Sequence, residues 1–159
     1  MKVQAVVRTN MAKLALWMMP CLLLLVGVTK TESSDERTRT AIVHPLANAN
    51  FKISGDPSCL STAVEVGDPS TGPATILLKA TKGCVVRWHF HTAEEQIMVV
   101  KGEFKVEMIS MPAAVLVPGG FTLIPSKEKH QFTCTHRSEC LLFLTIDRPF
   151  DSTWVTLGN

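Results

Sequence analysis

Four side chains in this sequence have the types and the spacing of a metal-binding set, namely His89, His91, Glu95 and His130. The first three lie in the run GCVVRWHFHTAEEQIMVVKG, and the fourth closes the run GGFTLIPSKEKH. Three imidazoles and one carboxylate are a complete set of protein ligands for one divalent transition metal, and Fe, Mn, Ni, Cu and Zn all accept such donors. The sequence therefore predicts a site for one such metal without identifying it.

Strand periodicity predicts how these donors meet. Side chains alternate between the two faces of a strand, so residues i and i+2 point the same way. His89 and His91 therefore share a face, and Glu95 and His130 belong to later strands whose apolar residues repeat with the same parity. Glu94 has the opposite parity to Glu95 and is the less suitable ligand. If all three faces point into one barrel, the four donors converge.

The elements that must position these residues are short β-strands separated by turns. No stretch after residue 30 has a sustained helical period with caps. The predicted strands are residues 59–66, 74–80, 85–91, 95–100, 103–109, 114–117, 121–124, 131–134 and 140–147. Many short strands at this spacing predict an all-β sandwich or barrel.

The two metal-binding runs resemble the two motifs of the cupin superfamily. The first motif, G-x5-H-x-H-x3–4-E-x6-G, is matched at every position between Gly83 and Gly102. The second motif, G-x5-P-x-G-x2-H-x3-N, is matched at Gly119, Pro125 and His130. The resemblance covers roughly residues 51–147. It implies a double-stranded β-helix, or jelly-roll barrel, in which the four predicted ligands hold the metal.

Two positions depart from the second motif. Lys127 replaces a glycine, and this affects the geometry of a tight turn more than metal binding, since glycine tolerates backbone angles that lysine does not. Cys134 replaces the asparagine and shares the parity of His130. Its side chain is interpreted as a small buried hydrophobe, as a disulfide partner of Cys140, or as a thiol near the substrate and the metal.

Arg87 is a further candidate for the site, because it has the same parity as His89 and His91. Its guanidinium would then reach the barrel mouth and bind an anionic substrate, unless it lies at an edge with its head in water. The chain has no tyrosine, so a tyrosine general acid is excluded. Apolar candidates for the inner face or the core are Phe104, Val106, Met108, Phe121, Leu123, Phe132 and Phe143.

The function implied by the cupin resemblance is that of a metal-binding protein acting on a small organic molecule. The first hypothesis is an oxidoreductase of the dioxygenase type, in which the metal centre itself is the catalytic group. The alternatives are a non-catalytic module that binds a small molecule or a metal, and a metal-dependent isomerase. Fold resemblance alone does not choose among these classes.

The N-terminus has the pattern of a signal peptide. Positive charges at Lys2, Arg8 and Lys13 precede an apolar run of 15 residues, 14–28, which is shorter than the roughly 20 residues of a membrane-spanning helix. We therefore expect a signal peptide at residues 1–28, a solvated linker at 29–50, a cupin domain at 51–147 and a tail at 148–159. The protein would be secreted or periplasmic, or anchored to a membrane if the N-terminal segment is not cleaved.

Charge and cysteine content limit the partners and the compartment. The chain has 16 basic and 14 acidic side chains, and without the three basic residues of the signal peptide 13 remain against 14, with no basic stripe for nucleic acid. Four cysteines follow the signal peptide, and their three possible pairings stay open. The apolar tail residues Phe150, Trp154 and Val155 would pack back on the domain or form a homodimer contact.

Overall fold

The computed structural model describes residues 40–135 and 137–158, and the predicted signal peptide and the first part of the predicted linker lie outside them. All described strands belong to the unit that begins at Ala41. Residues 41–50 form part of this unit and include a short 3-10 helix, Leu46–Asn48. Within the described residues, no helix has the length and apolar character needed to cross a membrane.

Eleven strands are present in the described residues. They are β1 (Lys52–Ile53), β2 (Leu60–Gly67), β3 (Ala74–Ala80), β4 (Val85–Phe90), β5 (Glu95–Lys101), β6 (Phe104–Met108), β7 (Ala114–Leu116), β8 (Phe121–Ile124), β9 (His130–Cys134), β10 (Cys140–Ile146) and β11 (Thr153–Trp154). One sheet has the order β1-β2-β3-β10-β5-β8 and the other β11-β4-β9-β6-β7. All pairings are antiparallel. The all-β jelly-roll fold is confirmed.

Strand boundaries follow the turn residues closely. The break Pro118-Gly119-Gly120 separates β7 from β8, and Gly102 at φ 93° separates β5 from β6, where a Cβ would meet the Cα of Cys140 at 2.9 Å. The sequence pattern missed β1 and β11, which are two residues each. Such short strands have no periodicity of their own and exist because they pair with the edges of β2 and β4.

The core lies between the two sheets, and the predicted apolar set divides between it and the surface. Phe104 and Phe132 are among its buried members, together with Val106 and Met108. Phe121, Leu123 and Phe143 are 52%, 43% and 39% exposed, so the expectation that they face inward is wrong. The strands β8 and β10 have apolar residues of both parities, and only their packing decides which set turns inward.

Two disulfides connect one sheet to the other. Cys59, just before β2, pairs with Cys84, just before β4, and Cys134 at the end of β9 pairs with Cys140 at the start of β10. The disulfide interpretation of Cys134 is therefore confirmed, and its interpretation as a free thiol near the metal is wrong. Strand parity correctly predicted that the side chain of Cys134 points inward, but its sulfur is bonded to Cys140.

Candidate metal centre

The four predicted ligands come from both sheets. His89 lies near the end of β4, directly opposite His130, the first residue of β9. His91 follows β4 by one residue. Glu95 is the first residue of β5, in the other sheet, so the carboxylate approaches the imidazoles from across the barrel.

These side chains lie close together in the interior. Ligand atoms of His89, His91 and His130 all lie within 4.8 Å of one another. The carboxylate oxygens of Glu95 lie 3.6 Å from His91 Nε2 and 3.3 Å from His130 Nε2. None of the four residues is more than 3% exposed. The three histidines form a group that can bind a metal ion, with a carboxylate in contact with two of them.

Hydrogen bonds to the backbone orient the three imidazoles. The Nδ1 of His89 donates to the carbonyl of Arg87 at 2.6 Å, and that of His130 donates to the carbonyl of Glu128 at 2.8 Å. The Nδ1 of His91 donates to the carbonyl of Asp151. A neutral imidazole carries one ring proton, so a ring that donates through Nδ1 has a free lone pair on Nε2. All three rings therefore present Nε2 as a metal donor, an arrangement typical of ligating histidines.

The pKa values of two members of the cluster, His89 and Glu95, are shifted from their ordinary values. The pKa of His89 is lowered to about 4, mainly by burial and then by the neighbouring His130, while the hydrogen bond to the carbonyl of Arg87 acts in the opposite direction. This ring is therefore neutral at pH 7. Burial raises the pKa of Glu95, but His130, His91 and His89 together outweigh it, and the net pKa lies below its ordinary value.

Two buried polar atoms test whether a metal fits. Among the described residues, Glu95 Oε2 and His130 Nε2 are buried without a hydrogen-bond partner, although they lie 3.3 Å apart. A buried carboxylate without a compensating charge costs several kcal/mol. A divalent cation held by Glu95 and His130 would compensate the negative charge and satisfy these unpaired atoms. The donor set fits a transition metal.

Arg87 lies outside this cluster. The register of β4 against β9 shifts between Val86 and His89, so Val86 and His89 both turn inward and Arg87 turns outward. Arg87 was predicted to point to the barrel mouth because it has the same parity as His89, and a bulge between them reverses that parity. Its Nη2 donates to Asp56 Oδ2 at 2.6 Å, and its guanidinium lies 4.8 Å from the ring centroid of Trp154. The side chain is 61% exposed, which agrees with the alternative that its head reaches water.

A largely apolar cavity of about 310 Å³ opens onto the cluster. Its wall includes Phe104, Phe132 and Leu144, and the ligand residues His89, His91 and Glu95 line it as well. This volume is at the small end of the range for sites that bind small organic molecules.

The C-terminal tail contributes residues that the sequence pattern did not assign to the site. Phe150 stacks on His91 with the ring centroids 4.2 Å apart, and Trp154 lies 5.2 Å from His89. Asp151 accepts from His91 through its backbone carbonyl. The apolar residues of the tail indicated that it packs back on the domain, as it does, but nothing local indicated which residues it would contact.

Two antiparallel sheets forming a jelly roll, with histidines and a glutamate turned into its interior, define a cupin. More closely, the model of the ChrR cupin-like domain matches residues 39–148, and the chain belongs to that family. None of the curated proteins compared with the chain matches it.

Solved structures with the same fold are distant in sequence. The polyketide cyclase RemF from Streptomyces resistomycificus has a TM-score of 0.63 and 19% identity, covering 76% of this chain and 88% of RemF. A cupin-2 domain from Rhodospirillum rubrum has a TM-score of 0.60 and 12% identity, covering 74% of this chain and 82% of that domain's chain. The DMSP lyase DddQ from Ruegeria pomeroyi has a TM-score of 0.54 and 17% identity, covering 70% of this chain and 68% of DddQ. At these identities the likeness shows the fold alone.

Proposed function

We propose that this cupin binds one divalent transition metal through His89, His91, Glu95 and His130 and acts on a small, mainly apolar organic molecule as an oxidoreductase of the dioxygenase type. The observation that carries this proposal is the shared orientation of the three imidazoles. Each donates its Nδ1 proton to a backbone carbonyl, and Nε2 of His91 and of His130 lies beside the buried carboxylate of Glu95, next to an apolar cavity.

The chain's own residues would bind and orient the substrate. The aromatic and aliphatic wall, with Phe104, Phe132 and Leu144, would contact an apolar substrate and exclude water from the metal centre. Hydroxyl groups of Thr62 and Ser152 also line the cavity and offer hydrogen bonds that fix its orientation. When bound, a divalent transition metal supplies Lewis-acid polarisation and, if it is redox-active, electron exchange.

The titratable groups around the cavity favour chemistry at the metal over proton transfer by the protein. Apart from the proposed ligands, the only titratable side chain among the described residues lining the cavity is Asp56. Asp56 is 65% exposed and is paired with Arg87. An isomerase that moves a proton needs a positioned base within reach of its substrate, and among the described residues lining the cavity the only titratable groups are the proposed ligands and the exposed Asp56, which is paired with Arg87. The isomerase alternative therefore has the weakest support.

A non-catalytic binding module is the second candidate. The same observation favours it, because a preformed metal site in an apolar cavity with no independent acid or base can also serve to bind a ligand. Metal content and turnover separate the two candidates.

Replacing a ligand tests the metal site directly. Loss of an outer hydrogen-bond partner typically weakens metal binding 10- to 100-fold, so loss of a ligand in His91→Ala or Glu95→Ala should weaken it by at least about 100-fold. Glu94→Ala is the matched control, because Glu94 is the adjacent carboxylate and its parity turns it away from the cluster. Metal content after dialysis, measured by inductively coupled plasma mass spectrometry, should fall in the first two variants only. Unchanged content in both would remove the proposed ligand set.

Oxygen consumption tests the catalytic part of the proposal. The full chain, loaded anaerobically with Fe(II), should consume O₂ in the presence of at least one member of a panel of phenols and β-diketones, and isotopically labelled O₂ should enter the product. The same protein loaded with redox-inert Zn(II) is the control and should consume none. Tight Fe(II) binding without O₂ consumption on any compound would favour the binding module instead.

We propose further that the protein is secreted or periplasmic. Two disulfides that join the sheets support this, because such bonds persist in oxidising compartments. The predicted signal peptide itself lies outside the described residues. Mass spectrometry of the N-terminus after expression in a secreting host would test cleavage near residue 28.

A further inference from the structure

We propose that the C-terminal segment, residues 150–154, is a positioning element of the metal centre, which holds His91 in its ligating orientation and closes one side of the cavity. The inference rests on the proposed metal site. The segment lies beyond residues 39–148, which the family model matches, so nothing in the family match assigns it a role.

His91 differs from the other two histidines in how its ring is held. His89 and His130 each donate to a carbonyl two residues earlier in their own strand region, so the local backbone is sufficient to orient them. The acceptor for His91 is the carbonyl of Asp151, 60 residues further along the chain. The hydroxyl of Ser152 also lies 3.3 Å from His91 Nδ1. The orientation of this one ligand therefore depends on where the tail docks.

Several contacts fix the tail at that place. The carboxylate of Asp151 accepts hydrogen bonds from the backbone N–H of Thr92 at 2.7 Å and from its hydroxyl at 2.9 Å. Asp151 therefore binds two consecutive residues. Its carbonyl accepts from the ring of His91, and its carboxylate accepts from Thr92, the next residue. We call this pair of contacts the clamp. On either side of this clamp, Phe150 N–H donates to Pro69 O at 2.7 Å, and Val155 N–H donates to Trp88 O at 2.9 Å.

The same segment forms part of the cavity wall. Phe150 stacks on the His91 ring at an interplanar angle of 28°, and Trp154 lies beside His89. Phe150, Ser152 and Trp154 all line the cavity. Docking of the tail therefore sets both the direction of one metal donor and the shape of the space next to it.

The decisive substitution is Asp151→Ala, which removes the carboxylate of the clamp and leaves the ligands in place. Asp151→Asn keeps an oxygen acceptor for the Thr92 donors and serves as the conservative rescue. Glu107→Ala is matched for charge, since Glu107 accepts hydrogen bonds from Lys105 and Gln131 on the outer face of its sheet. The probe is Co(II) alone, followed by calorimetry and by its visible absorption spectrum in the full chain.

We expect Asp151→Ala to weaken Co(II) binding by about 10- to 100-fold, as for other losses that disorient a ligating histidine, and to change the Co(II) spectrum. Asp151→Asn should restore the affinity to within about threefold, and Glu107→Ala should match the wild type in both measurements. A purely structural role for Asp151 would lower stability without changing the spectrum of the bound ion.

The outcomes separate this inference from the proposed function. A wild-type protein that binds no Co(II) would overturn the metal site and, with it, the positioning role. Wild-type binding that stays unchanged in affinity and spectrum in Asp151→Ala would overturn the positioning role alone. If Asp151→Ala does not fold, Thr92→Val removes one donor from the other side of the clamp, and unchanged Co(II) affinity and spectrum in that variant would likewise overturn it.

Discussion

At the scale of single residues, Lys127 has an unusual backbone conformation, and its N–H donates to the carbonyl of the candidate ligand His91. The φ of Lys127 is 66°, in the left-handed region that glycine adopts without strain and that strains other residues. Its N–H donates to the carbonyl of His91 at 2.7 Å, and Glu128 N–H closes the turn onto Pro125 O at 3.0 Å. The lysine therefore keeps the turn that a glycine would form, at a cost of about 1 kcal/mol.

Lys127→Gly should raise the free energy of unfolding by roughly 0.5 to 1 kcal/mol. Removal of Cβ relieves backbone strain in the folded protein, and this gain exceeds the loss that comes from the greater conformational entropy of glycine in the unfolded chain. The measurement is urea denaturation of the full chain. Lys129→Gly is the control, since Lys129 has no positive φ, and it should lower the free energy of unfolding. A loss of stability in Lys127→Gly equal to that of the control would contradict this account.

At the scale of the strands, disulfide cysteines and candidate metal ligands lie at opposite ends of β4 and β9. Cys84 precedes β4 and Cys134 ends β9, and their backbones are hydrogen-bonded to each other at 2.9 Å. His89 near the end of β4 is paired with His130 at the start of β9. The antiparallel pairing thus places covalent links between the sheets at one end and candidate metal donors at the other.

Removal of the Cys59–Cys84 disulfide should lower stability more than removal of the Cys134–Cys140 disulfide. The residues are 25 and 6 positions apart, and the loop-closure entropy of the unfolded chain corresponds to about 3.5 and about 2 kcal/mol respectively. Paired Cys→Ala variants compared by urea denaturation would measure both losses. Co(II) affinity should stay within a few-fold of the wild type in both, since Cys84 and Cys134 lie at the opposite ends of β4 and β9 from His89 and His130. The reverse order of stability would contradict the loop-closure argument.

At the scale of the whole molecule, folding buries an ionisable cluster between two sheets. The imidazole of His89 has a pKa near 6.5 when exposed in an unfolded chain, and burial lowers it to about 4 in the folded protein. Between these values the unfolded chain binds a proton that the folded protein does not. Stability of the metal-free protein must therefore fall as the pH falls through this range.

We expect the metal-free protein to lose about 3 kcal/mol of stability through His89 between pH 7.5 and pH 4, since each pH unit between the two pKa values corresponds to about 1.4 kcal/mol. Urea denaturation in the presence of a chelator, repeated across this range, measures the loss. Carboxylates contribute in the same direction, so His89→Asn is the control that isolates the imidazole, and its pH dependence should be shallower. Equal slopes for the two proteins would exclude His89 as the cause.

Much of the fold and of the candidate site could be predicted because both depend on local patterns. The parity of Glu95 against Glu94, and of His130 with Phe132, is a property of neighbouring residues on one strand, and it correctly separates inward from outward side chains. Parity failed at Arg87, where a bulge against β9 shifts the register, and a bulge depends on the partner strand as much as on its own sequence. It also could not choose the buried face of β8 and β10.

The amino-acid sequence by itself determined the strand-forming segments, the types of the four donors and their membership of two motifs, because short-range alternation and turn residues control these. Only the tertiary structure decided the cysteine pairing, the outward direction of Arg87 and the partnership of Asp151 with His91. Each of these joins residues far apart in the chain, and their contacts depend on the docking of whole strands, which no local pattern encodes.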